Sequence, residues 1–166
     1  MNEYVDGKPA KTETTDHSAT EAYEGNSFLA NYYEVIGIAG TIKILFTTPA
    51  DKLICFHDRI QATKETNWAV YVAPTVTGAG TTITPINRNQ RIGGVSACTV
   101  THTPTLSDDG AKVYESAWGT GVKIGGATEG EEIHLAQSTT YYFLITSAAA
   151  TNKVTVDLHY CERPLT

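Results

Sequence analysis

The chain has 166 residues, 41% of them hydrophobic and only 18% charged, with a formal net charge of −6. That length supplies one good core and one domain. Its 12 lysines and arginines are scattered, so the clustered basic footprint of a nucleic-acid binder is missing and no nucleic acid is expected as a partner. No apolar run is long enough to form a membrane-spanning helix, and no membrane is expected either.

Residues 1–26 are polar and aperiodic, and alone they could not bury enough apolar surface to offset the entropy of ordering. They read as an extended N-terminal arm whose aromatic anchors, Tyr4 and Tyr23 with Phe28 just beyond, would dock on a neighbouring chain, or, over Met1–Asp16, equally as a plain flexible tail. A helical turn is expected over His17–Glu24, stopped by Gly25. The start of the chain lacks the apolar stretch of a signal peptide, so synthesis and folding in a cytoplasm are expected. No Asn-x-Ser/Thr sequon is present.

From Ser27 the hydrophobic period becomes two, over residues 27–166. Thr41–Thr47 sets Ile42, Ile44 and Phe46 on one face, and Leu53–Arg59 follows after Pro49-Ala50-Asp51. In Asn67–Ala73, Trp68, Val70 and Val72 share a face. Thr81–Ile86 is strand-like until Pro85, which marks an edge or a strand end. Ser96–Thr103 ends at Pro104, and Asp108-Asp109-Gly110 is a turn. Lys112–Trp118, Glu131–Leu135, Thr140–Thr146 and Val154–Cys161 complete eight or nine strands. The last strand points Val154, Val156, Leu158 and Tyr160 one way and Thr155, Asp157, His159 and Cys161 the other. The pattern predicts an all-β protein, an antiparallel jelly-roll β-sandwich with an extended N-terminal arm. The Cys–Trp–Cys spacing of immunoglobulin domains is missing.

Reaction chemistry finds little purchase. His17, His57, His102, His134 and His159 are isolated in sequence, without the close pair a metal site uses, so neither metal nor cofactor is expected. No G-x-S-x-G or H-E-x-x-H occurs. Gly119–Gly126 lacks the G-K-[ST] ending of a phosphate loop, and Glu129, Glu131 and Glu132 read as a solvated loop ahead of a calcium site. Cys55, Cys98 and Cys161, odd in number and without C-x-x-C, read as buried thiols. Trp118, ahead of Gly-rich sequence, is the one candidate platform for a sugar ring. An enzyme is not expected. The distinctive segment is GTTITPINRNQR, Gly80–Arg91. Pro85 ends the ladder there, so the backbone beyond needs side-chain partners. Asn87, Arg88, Asn89 and Arg91 are expected to order that loop or to form an interface with a partner.

Together with NWAVYVA (Asn67–Ala73), SDDGAKVYES (Ser107–Ser116), LAQSTTYYFLITSAA (Leu135–Ala149) and VTVDLHYCER (Val154–Arg163), that segment resembles the head decoration, or cement, proteins of tailed bacteriophages. The likeness runs from about Ser27 to Arg163 and includes a closing strand with a Tyr–x–Glu sequence. It implies a jelly-roll sandwich assembled as a symmetric oligomer on the capsid exterior. There it would bridge copies of the major capsid protein at local two-fold or three-fold axes, after assembly in the host bacterial cytoplasm. The low charge and half-polar strand faces suit a closed homo-oligomer, a homotrimer ahead of a dimer. The alternative is a receptor- or carbohydrate-binding domain of a phage fibre or tail, for which a coiled-coil or repetitive shaft segment would be expected.

Overall fold

A computed structural model describes residues 4–5, 8–9, 22, 24–118, 123–124 and 133–165, with the backbone alone for 4–5, 8–9, 118 and 123–124. Two short strands, β1 (Tyr4–Val5) and β2 (Lys8–Pro9), pair with each other. Then come β3 (Ser27–Ile36), β4 (Thr41–Thr47), β5 (Lys52–Ala62), β6 (Thr66–Val72), β7 (Thr75–Gly78), β8 (Thr81–Ile83) and β9 (Ile86–Asn87). The series ends with β10 (Thr99–His102), β11 (Thr105–Asp108), β12 (Ala111–Trp118), β13 (Lys123–Ile124), β14 (Ile133–Leu135), β15 (Thr140–Ser147) and β16 (Asn152–Pro164).

The fold is all-β, with antiparallel sheets in a sandwich-like arrangement. One sheet runs β13-β5-β16-β3-β9, with β14 also pairing β5, and the other runs β12-β6-β15-β4-β10-β8. The alternation in the sequence explains the core between them. Val154, Val156, Leu158 and Tyr160 of β16 face Ile42, Ile44 and Phe46 of β4, and all seven are 0–1% exposed. Trp68, Val70, Phe143 and Ile145 extend the same cluster. Ring contacts bind the layers: Phe46 meets Tyr160 edge-on at 4.9 Å and Phe56 at 5.2 Å.

β16 is the central strand of its sheet, paired with β5 on one side and β3 on the other. At its start, Asn152 is fully buried and joins two turns, β5–β6 and β15–β16. Its Oδ1 accepts from the amides of Thr63 (3.1 Å) and Lys64 (2.9 Å), and its Nδ2 donates to Thr66 Oγ1 (2.8 Å) and Ser147 Oγ (3.0 Å).

β7 and β11 lie outside the strands expected from the sequence. They form a two-stranded ribbon that continues β6 and β12 and then becomes β8 and β10. The ribbon thereby leaves one edge of the β15 sheet and rejoins it at the opposite edge, crossing over the outer side of β4 and β15. Leu45 and Tyr142 point outward there, yet they are 5% and 1% exposed. The two strands of this strap carry one motif twice, Ala73-Pro74-Thr75-Val76-Thr77 ahead of Gly80 and Thr103-Pro104-Thr105-Leu106-Ser107 ahead of Gly110. Several features of one copy have a counterpart in the other. Ala73 and Thr103 take positive φ (55° and 52°), and so do Gly80 and Gly110 (81° and 86°). Ala73 N donates to Thr140 O and Thr103 N to Lys43 O, both at 2.9 Å. Thr77 Oγ1 bonds Thr105 O and Ser107 Oγ bonds Thr75 O. Asp108-Asp109-Gly110 is a turn as expected, with Gly110 N on Asp108 Oδ1 at 2.8 Å.

A Cβ on Gly80 would run into the His102 carbonyl oxygen, and one on Gly110 into that of Val72. Both sites also hold left-handed backbone, which disfavours any L side chain. Gly80→Ala and Gly110→Ala should each cost at least about 2 kcal/mol in denaturant unfolding. Gly93→Ala has positive φ but open space around it, and should cost about 1 kcal/mol.

One core-facing position of β5 is a carboxylate. Asp58 lies between Phe56 and Ile60, is 7% exposed, and its Oδ2 has no hydrogen-bond partner. Burial pushes its carboxyl up from the usual range to about 6. The ionised form is therefore disfavoured by folding, and the penalty appears as pH rises from about 4 through about 6. A rise of that size costs the folded protein roughly 2–3 kcal/mol at pH 7. Asp58→Asn should raise Tm at pH 7, and the gap over the parent should close near pH 4.

Candidate functional site

The loop from Ile86 to Cys98 is built from the inside. β9 pairs Ile86 with Leu29 and Asn87 with Phe28, and Arg88 N donates to Ser27 O at 2.8 Å. The ladder with β10 ends at Ile83, ahead of Pro85, and the chain pairs again with β3 at Ile86 and Asn87; beyond them the Asn87 side chain supplies the backbone partners. Its side chain is buried (8% exposed); Nδ2 donates to Gly25 O at 2.7 Å and Gly93 O at 3.3 Å, and Oδ1 accepts from Asn89 N at 2.8 Å. Asn89 repeats the turn one step on, its Oδ1 accepting from Arg91 N at 3.2 Å. Gly25, with φ 80°, donates to Ala22 O; of the helical turn expected over His17–Glu24, all but Ala22 and Glu24 lies outside the described residues.

The return limb of the loop is tied to β16 by a buried carboxylate. Glu162 is 6% exposed, and its oxygens accept from Ser96 Oγ (2.6 Å), Ala97 N (2.9 and 3.0 Å) and Cys98 N (3.1 Å). Tyr160 OH shares a 2.6 Å hydrogen bond with Ser96 Oγ. The Tyr–x–Glu near the chain's end is thus a clamp on the far side of the loop. Burial, the Glu162 charge and its hydrogen bond hold the Cys98 thiol protonated, far above its usual range. Burial likewise keeps the Tyr160 phenol protonated.

These anchors leave the charged members of the loop outside. Arg88 and Arg91 are exposed, with Arg88 Nη1 resting 3.4 Å from Ser27 Oγ. Leu29, Ile86 and residues 87–91 line an open depression of about 510 Å³. Ile86 is exposed on its lining, and Ile92 and Val95 are exposed farther along the loop, Val95 almost fully.

Of the residues marked out in the sequence, Asn87, Arg88, Asn89 and Arg91 are together here. Asn87 and Asn89 order the loop, while the guanidinium groups of Arg88 and Arg91 face out. Phe28 is corrected: it is 4% exposed and stacked on Tyr160 at 5.7 Å, so its area is spent inside the core and cannot anchor a partner. The side chain of Tyr4, Tyr23 as a whole, the side chain of Trp118, and Glu129, Glu131 and Glu132 lie outside the described residues. Cys55, Cys98 and Cys161 are buried thiols. Among the described residues, no three His, Cys, Asp or Glu side chains are placed to share a metal ion. The role of Glu162, noted only as part of the closing Tyr–x–Glu, and the cross-strand pair His57–His159 were not legible beforehand, because both depend on contacts between segments far apart in sequence.

No protein-family model matches the sequence, and no curated protein matches it significantly.

Asn87→Ala would strip partners from the Gly25 and Gly93 carbonyls and the Asn89 amide. It should destabilise the fold by about 2 kcal/mol. Arg91→Ala, at an exposed position, should change stability by no more than about 0.5 kcal/mol. Paired denaturation curves check both.

Proposed function

We propose that the protein is a structural virion component, a decoration or cement protein that binds the outside of a phage capsid and bridges major capsid proteins. In this reading the sandwich is a jelly roll, wound by the long ribbon that runs from β6/β12 through the strap to β8/β10. The low charge content and half-polar strand faces favour a homo-oligomer, a trimer ahead of a dimer, with residues 1–26 reaching a neighbouring subunit or the shell. The observation that carries the reading is the Asn87 loop, which sits in the segment that resembles the decoration proteins. Asn87 and Glu162 fix its backbone from within, and Arg88, Arg91, Ile86, Ile92 and Val95 are left for something outside to cover. A pre-ordered loop with exposed aliphatic and guanidinium groups suits docking, because little entropy remains to be lost on binding.

The test is co-sedimentation with purified heads of the phage that encodes this chain. The protein should saturate the heads, and Arg88→Ala with Arg91→Ala should weaken binding at least about tenfold with Tm unchanged. Absence of head binding by the parent protein, or full binding by the double variant, would contradict the proposal.

A further inference from the structure

The outer side of the β16 sheet gathers cationic and imidazole groups from several strands. Register places Ile86, Leu29, His159 and His57 side by side across β9, β3, β16 and β5. The adjacent row is Asn31, Asp157 and Arg59. Arg88 lies over Ser27 and is close enough to act electrostatically on His159, and Arg91 stands on the wall of the depression that begins at Leu29. In these rows Asp157 is the one carboxylate, and its Oδ1 already accepts from Asn31 Nδ2 at 2.6 Å. The Arg59 guanidinium donates to the Gln61 side-chain oxygen at 2.8 and 2.9 Å, with the amide turned to suit. Among the described residues, the one ion pair within 4 Å is Lys112–Glu115, on the other sheet. Arg59, Arg88 and Arg91 therefore have no carboxylate at that distance among the described residues.

Nothing in the core requires this concentration of charge in a chain of net charge −6. Burial first, and then Arg88, hold the His159 imidazole below its usual range; Asp157 pulls the other way, and His57 and Arg59 add smaller pushes downward. β3 adds only the uncharged Leu29 and Asn31 beside it, and Cys161 follows on the same side of β16. A group of like charges with half-buried imidazoles and an apolar border attracts anions.

We propose that this face of the sheet binds an extended acidic segment of a partner protein, its carboxylates held by Arg88, Arg59 and the imidazole N–H groups of His159 and His57. The proposal rests on the docking reading above and gives the chemistry of what docks. Strands lie about 4.8 Å apart, so the row from β9 to β5 spans roughly 14 Å, the reach of about four extended residues. Leu29 and Ile86 supply an apolar floor at one end, which suits a peptide with an aliphatic side chain among its acids. A phosphate backbone would want more arginine and lysine, with aromatic faces for its bases. An anion on this face favours the charged form of His159, so binding should strengthen as pH falls through the histidine range.

The experiment uses the whole protein and a fluorescein-labelled peptide, Glu-Glu-Leu-Glu-Glu, with its all-glutamine counterpart and labelled oligodeoxythymidylate as comparisons. Anisotropy at low salt should show the acidic peptide binding at least about tenfold tighter than the glutamine peptide, and tighter at pH 5.5 than at pH 7.5. Arg59→Gln with Arg88→Gln should remove at least about tenfold of that affinity, and His159→Gln should flatten the pH difference. The His159 imidazole resonances should titrate at higher pH when peptide is bound. Equal affinity for the acidic and glutamine peptides, indifference to the double variant, or tighter binding of the oligonucleotide overturns the proposal. No capsid enters this measurement, so peptide binding by a protein that ignores heads would sink the docking reading alone.

Discussion

The pairing of β16 along both of its sides is the constraint on which the rest of the structure depends. Its alternating side chains fill the core with Val154, Val156, Leu158 and Tyr160, and its ladder fixes β5 and β3 in register over most of their length. Each end of the strand then finishes in a buried polar side chain that organises loops. Asn152 gathers the β5–β6 and β15–β16 turns, and Glu162 holds the Ser96–Cys98 limb. Breaking such a group costs more than its bonds contribute, because the partners left behind are buried too. The site loop is therefore an extension of the core, and its surface inherits the rigidity of the central strand.

The strap plays the matching part for the other sheet. A flat six-stranded sheet would leave Leu45 and Tyr142 to solvent, and the ribbon closes over them. Its two-fold repetition follows from geometry. A ribbon entering at one edge and leaving at the opposite edge needs the same bend twice, once in each strand and in opposite order. Ala73-Pro74 with Gly110, and Thr103-Pro104 with Gly80, are those two bends. The strap lies on one sheet, and the proposed docking face lies on the other, at the outer side of the β16 sheet and the Asn87 loop.

The strand faces were legible because alternation is a local signal, and Ile42, Ile44 and Phe46 could be read straight from spacing. So could the turn at Asp108–Gly110 and the end of a strand near Pro85. The strap was not. Thr75–Gly78 and Thr105–Asp108 are short and polar, and they were hidden by the very prolines and glycines that usually mark loops. The motif's recurrence was the signal that could have revealed it. Phe28 was misjudged for a related reason: polar sequence precedes it, but its register opposite Tyr160 carries it into the core. Asn87 stood out in sequence for its turn chemistry, whereas Glu162 stood out only as the end of a Tyr–x–Glu sequence, with no role attached. Its role appears only when β16 brings it beneath residues 96–98. The same pairing creates the His57–His159 row from two histidines that look unrelated in the chain.

The central claim is that one face, formed by the Asn87 loop and the adjoining side of the β16 sheet, meets the partner while the strap does not. Hydrogen–deuterium exchange on the free protein and on the same protein bound to heads tests this directly. The account predicts new protection over Ile86–Ser96, with the exchange of Thr75–Gly78 and Thr105–Asp108 unchanged. Protection over the strap with none at the Asn87 loop would contradict it.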